Sequence, residues 1–161
     1  MASIAQHYGQ DHDRLEGLFK QFQQMKGQDR ARAGEYFQQF KAGLLRHIAW
    51  EEEILFPVFD EKNGFEGVGP TEVMRREHAQ IKGWLSEIGG RLLEEAESRS
   101  EEEALVGVLR AHNQKEEWIL YPAIDGQLSD QEIRDVFSKM EQLKAPCGEP
   151  PGSFSSMTSI V

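Results

Sequence analysis

The sequence HIAWEEEILFP, residues 47–57, is repeated further along the chain as HNQKEEWILYP, residues 112–122. Both copies carry a histidine followed four positions later by a glutamate: His47 with Glu51, and His112 with Glu116. Residues four apart in a helix lie on the same face, one turn from each other. Helix packing alone gives no reason to repeat this pair. The repeat therefore indicates either an ancestral duplication without surviving chemistry or two halves of one site.

The duplication extends upstream of these segments. Residues 11–19 read DHDRLEGLF and residues 77–85 read EHAQIKGWL, so an acidic residue precedes His12 in one copy and His78 in the other. Each half of the chain thus predicts one helical hairpin, with a histidine on its first helix and His-x-x-x-Glu on its second. Two hairpins related by a pseudo-two-fold axis would bring all of these side chains to one level of a bundle.

Apolar residues recur at spacings of three and four through most of the chain, which predicts amphipathic helices. The expected helices cover about 3–25, 29–57, 70–96 and 100–122. Pro57 and Pro122 are expected to end the second and fourth helices, and SEEE at 100–103 and SDQE at 129–132 indicate capping boxes. The predicted fold class is all-α, an up-down-up-down four-helix bundle over residues 1–144. It includes a short fifth C-terminal helix, and a disordered tail is expected over 145–161.

Composition narrows the classes of partner. The net charge of −10 over 161 residues repels phosphate backbones and anionic lipid, so neither nucleic-acid nor membrane binding is expected. The single cysteine, Cys147, rules out internal disulfides and cysteine-based zinc clusters. No apolar run approaches the ~20 residues of a membrane span, and the first residues lack the features of a signal peptide. A cytoplasmic protein is expected.

Six polar side chains are predicted to point into an apolar core: His12, His47, Glu51, His78, His112 and Glu116. Burying such groups without partners costs ~1–3 kcal/mol each. A lone inward histidine is more often a hydrogen-bonded core residue than a ligand, but the symmetric recurrence favours a metal site. Imidazole and carboxylate without thiolate suit iron, manganese or zinc. The set exceeds the needs of one tetrahedral zinc and suits two octahedral ions that share both glutamates as bridges.

Three further residues border this set. Glu52 and Glu117 repeat one position round the helix from the inward glutamates and are interpreted as flanking residues that support the ligands. Tyr8 lies one turn before His12 and is interpreted as a core aromatic residue.

The order His, His-x-x-x-Glu, His, His-x-x-x-Glu over about residues 7–122 resembles the haemerythrin-like, or HHE cation-binding, domain. The resemblance implies a non-haem di-iron centre with an oxo or hydroxo bridge, held by the six residues named above, with Glu51 and Glu116 bridging. Oxygen-carrying haemerythrins have a fifth histidine one turn before the third-helix histidine, where this chain has Met74. Without it both irons would keep an open position, which favours reaction with small oxidants over carriage.

The expected function is therefore that of a di-iron protein that reacts with or senses O2, peroxide or NO. The ligand set is also similar to that of the repair-of-iron-centres proteins, which are linked to nitric oxide and oxidative stress. Manganese and zinc are alternative occupants. Two alternative functions stay open: a metal-dependent iron-sensing or partner-binding module, and reversible O2 storage, which Met74 disfavours.

Overall fold

The structure, a computed structural model, describes residues 2–143, and its regular elements there are helices. The α-helices are α1 (Ile4–Met25), α2 (Arg30–Trp50), α3 (Phe56–Asn63), α4 (Pro70–Leu93), α5 (Arg99–Lys115), α6 (Tyr121–Gln127) and α7 (Asp130–Gln142). Two π-helical segments, Glu51–Leu55 and Glu116–Leu120, join α2 to α3 and α5 to α6 without a break. Four long helical units and the short α7 result, so the predicted all-α bundle is confirmed. The predicted disordered tail at 145–161 lies outside the described residues.

The bundle consists of two helical hairpins. Helix α1 packs mainly against α2, and α4 packs mainly against α5. Helix α7 lies against the first π-helical segment, at one end of the bundle. None of the helices in the described part of the chain combines the length and apolar character needed to cross a membrane.

Helix starts follow local capping chemistry, with one correction. The side chains of Ser3 and Asp29 accept hydrogen bonds from backbone N–H groups in the first turns of α1 and α2, and Ser129 forms the predicted capping box. The capping box predicted at 100–103 is wrong, because α5 already begins at Arg99. The carboxylate of Glu97 accepts the N–H of Arg99 at 3.0 Å, which satisfies a donor in the first turn before Ser100 is reached.

Pro57 and Pro122 do not end their helices, contrary to the prediction. Each proline lies in the first turn of a new α-helical segment, α3 or α6, directly after a π-helical segment. A proline is tolerated there because its missing N–H removes little from the first turn of a helix. The helices consequently continue to Asn63 and Gln127.

A polar level divides the hydrophobic core into two clusters. The α7 cluster contains Tyr8, Leu55, Met74, Tyr121 and the apolar face of α7. The phenylalanine cluster, toward the opposite end, contains Phe19, Phe22, Phe37 and Phe40 with aliphatic residues of α4 and α5. Along α1 the boundary falls at His12, which lies between buried Tyr8 and buried Leu15. The predicted ligands therefore lie between two apolar layers.

Candidate metal centre

The structure brings all six sequence-predicted ligands together at this level. Their exposed fractions are His12 5%, His47 1%, Glu51 0%, His78 1%, His112 3% and Glu116 0%. Each histidine comes from a different long helix, and each glutamate is the first residue of a π-helical segment. Buried ionisable groups of this kind require partners or a bound cation.

The histidines form two pairs. The ring centroids of His12 and His47 lie 4.6 Å apart, and those of His78 and His112 lie 4.8 Å apart. Glu51 reaches both pairs, because its Oε1 is 3.5 Å from Nε2 of His47 and 3.3 Å from Nε2 of His78. One carboxylate oxygen thus stands between a histidine of each hairpin.

Glu116 occupies the symmetric position. Its Oε1 is 3.4 Å from Nε2 of His12 and 3.0 Å from Nε2 of His112. Both glutamates therefore lie where a carboxylate can bridge two cations, one beside each histidine pair. Among residues 2–143, two overlapping sets of groups could hold an ion: Glu51, His78, His112 and Glu116 form one, and His12, His47 and Glu116 form the other.

Each of the four imidazoles of the centre is oriented by a carboxylate outside the six candidate ligands. The Nδ1 atoms lie 2.7 Å from Glu117 for His12, 2.9 Å from Asp11 for His47, 3.0 Å from Glu52 for His78 and 3.1 Å from Glu77 for His112. A neutral imidazole that donates its Nδ1–H to a carboxylate directs the lone pair of Nε2 inward, which is the arrangement typical of metal-ligating histidines. Burial favours neutral Asp11, but the hydrogen bond and charge of His47 lower the pKa of Asp11 to about 2.

These supporting carboxylates also follow the pseudo-two-fold symmetry. Asp11 and Glu77 each support the histidine on the second helix of their own hairpin, whereas Glu52 and Glu117 reach across to the other hairpin. The sequence prediction named Glu52 and Glu117 as flanking residues but assigned no role to Asp11 and Glu77. The acid-His dipeptide in both repeats was the signal that could have found them.

The donor set fits bound cations. Oε1 of Glu51, both carboxylate oxygens of Glu116 and Nε2 of His78 are buried and have no hydrogen-bond partner. Buried polar atoms of native proteins are nearly always paired, and two adjacent buried carboxylates repel each other. A pair of cations beside the histidines would satisfy all four of these atoms.

Without a cation, bound protons neutralise part of the negative charge of Glu51 and Glu116. Burial and the charge of Glu116 raise the pKa of Glu51. Burial disfavours ionised Glu116, but the neighbouring side chains of Glu51, His112 and His12 lower its pKa below the ordinary value. Burial lowers the pKa of His12 and of His78, yet the adjacent carboxylates of Glu116 and Glu51 raise each to about 9. Cations must displace these protons.

Metal affinity is consequently expected to increase with pH from neutrality to about 9, the pKa of His12 and of His78 in the cation-free protein. Below that pH both imidazoles hold a proton that a metal must remove, and above it this competition ends. Calorimetric titration with Zn(II) in buffers of different ionisation enthalpy measures the protons released. An affinity that is independent of pH and releases no protons would contradict the assignment.

Tyr121 belongs to the site although sequence reasoning missed it. Its buried hydroxyl donates to Oε2 of Glu51 at 2.8 Å, and lies 3.2 Å from Nε2 of His47 and 3.4 Å from Nε2 of His12. An α-helical period turns residue 121 away from Glu116, but a π-helical turn closes between residues five apart. The N–H of Tyr121 bonds to the carbonyl of Glu116 in this way. Burial, with the charges of Glu116 and Glu51, raises the pKa of Tyr121 well above its ordinary value.

Tyr8 and Met74 lie beside the centre as packing residues. The ring centroid of Tyr8 is 5.4 Å from that of His47, and its hydroxyl donates to the sulfur of Met140 at 3.3 Å. This agrees with its interpretation as a core aromatic residue. Met74 is 3% exposed and packs in the α7 cluster.

A cleft of about 220 Å³ lies beside His12 of the first histidine pair. Its lining includes His12 and Glu117 together with an apolar wall of Leu15, Phe19 and Leu109. Asn113 also lines this cleft, and in the repeat it corresponds to Ile48, which is 2% exposed. The cleft therefore distinguishes the side of His12 from the equivalent side of the other hairpin.

Known proteins carry related sequences. A family model described as "Hemerythrin HHE cation binding domain" matches residues 3–124. A DNA nickase from Nostoc sp. is 27% identical over 135 residues, which are 84% of this chain and only 37% of the nickase. An uncharacterized hemerythrin-like protein from Schizosaccharomyces pombe is 26% identical over 144 residues, 89% of this chain and 70% of that protein. No solved structure matches the chain. Because the family model covers most of the chain and its buried histidines and glutamates are in place, the protein belongs to the haemerythrin HHE cation-binding domain family.

Proposed function

We propose that this protein is a non-haem di-iron protein that reacts with or senses O2, peroxide or NO in the cytoplasm. The observation that carries the proposal is the position of the two buried glutamates. Oε1 of Glu51 and Oε1 of Glu116 each lie within 3.5 Å of one histidine from both pairs. Carboxylate bridges between histidine-ligated ions are typical of di-iron bundles, and imidazole with carboxylate suits iron.

One ion would be held by His12 and His47 and the other by His78 and His112, with Glu51 and Glu116 shared. Iron bound there supplies electron exchange with a small oxidant. The protein's own contribution is positional, since outer carboxylates orient the imidazoles and the two apolar clusters enclose the polar level from both ends. The cleft beside His12 supports access by a small molecule.

The direct test is anaerobic addition of O2, peroxide and NO, one at a time, to the reduced iron-loaded protein. At least one oxidant is expected to change the absorption spectrum within the mixing time, and NO is expected to give a paramagnetic signal. The matched control is the same protein loaded with Zn(II), which cannot change oxidation state. An iron-loaded protein that responds to none of the three would rule out the proposal.

Shared bridges predict that ligand substitutions act unequally. Glu116→Ala is expected to lower the iron content at both positions, from two ions per chain to well below one. His12→Ala is expected to lower it mainly at one position, because only one histidine pair loses a ligand. Glu53→Ala is the matched control, because Glu53 lies on the same π-helical segment as Glu51 but is exposed. Elemental analysis measures the iron, and equal losses for Glu116→Ala and His12→Ala would contradict the shared bridge.

A second candidate is an iron-sensing module whose output is a change in structure. Its support is a chain of contacts from the centre to α7: Tyr8 packs against His47 and donates to Met140. When the cation is lost, only protons balance the negative charge of the buried Glu51 and Glu116. The contacts of Tyr8 and α7 with the centre are then expected to loosen. Limited proteolysis with and without iron tests this candidate. An equal rate of cleavage in α7 with and without iron would count against the iron-sensing module.

We also propose that the chain binds neither nucleic acid nor anionic membranes. The printed name of the nickase assigns action on DNA to that protein, which is much longer than the region matched here. The net charge of −10 opposes association with polyanions. The gel mobility of double-stranded DNA at low salt tests the absence of DNA binding. A retarded band at micromolar protein would contradict it.

A further inference from the structure

The two halves of the centre differ at one repeated position. Phe56 and Tyr121 each follow a bridging-position glutamate by five residues and precede the proline of the repeat. Their rings are placed alike: Phe56 stacks on His78 with centroids 6.0 Å apart, and Tyr121 stacks on His12 with centroids 5.8 Å apart. Only the ring beside His12 carries an oxygen atom.

That oxygen is surrounded by inward-facing ligand atoms. It lies 2.8 Å from Oε2 of Glu51, 3.2 Å from Nε2 of His47 and 3.4 Å from Nε2 of His12. The hydroxyl has one proton, which it donates to Glu51, and its oxygen lone pairs stay available to an imidazole N–H or to a cation.

The two proposed ion positions also differ in how their carboxylates are arranged. Glu51, His78, His112 and Glu116 all lie close to one another, whereas the corresponding group around His12 and His47 includes Glu116 but not Glu51, although Oε1 of Glu51 is 3.5 Å from Nε2 of His47. Oε2 of Glu51 is held by the hydroxyl of Tyr121 instead. The phenol oxygen thus lies beside His12 and His47 as a donor additional to the two glutamates.

We propose that Tyr121 is a direct ligand of the iron held by His12 and His47, through its phenolate oxygen. This inference rests on the proposed function, since it requires iron in the centre. Ligation replaces the O–H bond by an O–iron bond, and the phenol proton is released to the solvent as the cation binds. No electron is transferred in this step. An anionic oxygen donor suits Fe(III), and tyrosine also serves as a ligand to haem iron. The position beside Phe56 has no such ligand, so the two irons are chemically distinct.

The test uses the visible spectrum of the Fe(III)-loaded protein. Phenolate bound to Fe(III) gives a charge-transfer band, and excitation into that band enhances the ring vibrations of the phenolate in the resonance Raman spectrum. We expect these vibrations in the wild type, their shift when the protein contains ring-deuterated tyrosine, and their complete loss in Tyr121→Phe. Tyr8→Phe is the control, because Tyr8 donates to Met140 and should leave them unchanged.

Phe56→Tyr provides an independent arm that does not depend on how well Tyr121→Phe folds. It places a phenol at the equivalent position beside His78 and is expected to increase the phenolate signal roughly two-fold. Iron content separates the possible failures. Two irons per chain without phenolate vibrations would overturn the ligand assignment and leave the proposed function standing. Absence of bound iron would overturn both.

Discussion

Anaerobic addition of Fe(II) to the metal-free protein is expected to raise the midpoint of thermal unfolding by roughly 10 °C. A ligand at a thousand times its dissociation constant stabilises the folded state by about 4 kcal/mol. Each kcal/mol shifts the midpoint by roughly 2–4 °C in a domain of this size. The physical source is the replacement of protons by cations beside Glu51 and Glu116, whose carboxylates are fully buried. Circular dichroism in matched anaerobic samples measures the shift.

The variant Glu51→Gln separates this effect from general stabilisation. In the cation-free protein the raised pKa of Glu51 favours its protonated form, which an amide mimics in shape and charge. The midpoint of metal-free Glu51→Gln is therefore expected to stay close to that of the wild type. Its iron-induced shift is expected to fall to a small fraction of the wild-type shift, because a neutral amide is a poor bridge. A variant that keeps the full shift would show that Glu51 does not bind the metal.

Phe37→Ala is expected to lower the free energy of unfolding of the metal-free protein by about 3–5 kcal/mol. Phe37 is fully buried in the phenylalanine cluster, with its ring centroid 5.2 Å from that of Phe22. Truncation removes aromatic packing and leaves a cavity that the surrounding helices fill only partly. Urea denaturation in the presence of chelator measures the loss without a contribution from iron.

An exposed apolar residue is the matched control for this substitution. Leu93 at the end of α4 is 88% exposed, so Leu93→Ala is expected to change the free energy of unfolding by less than about 0.5 kcal/mol. A loss below about 1 kcal/mol for Phe37→Ala would mean that the phenylalanine cluster is not packed as described.

Local spacing predicted the inward position of the candidate ligands because they lie where the helix is regular. His47 is in α2 and Glu51 follows its last residue, so the four-residue spacing still places both on one face. From Glu51 and Glu116 onward the helix has the wider π-helical turn, so the α-helical period no longer gives the direction of a side chain. Sequence reasoning therefore ended the helices at Pro57 and Pro122 and overlooked Tyr121.

The supporting carboxylates were predictable only in part. Asp11 and Glu77 are adjacent in sequence to His12 and His78, yet each contacts a histidine on a neighbouring helix. Adjacent residues in a helix point in different directions, so only interhelical packing decides which imidazole such a side chain meets.

The sequence by itself determined the all-α class, the two hairpins and the six inward side chains. The spacing of apolar residues and an i, i+4 pair are properties of a single helix, so they can be recognised in the sequence. The internal repeat shows the same pattern twice. Only the tertiary structure decided the pairing of Glu52 and Glu117 with histidines of the opposite hairpin. It also decided that Tyr121 reaches the centre while Phe56 stacks beside it without a donor. Those relations depend on a wider helical turn and on the distance between helices, and neither is encoded in the spacing of residues along a single helix.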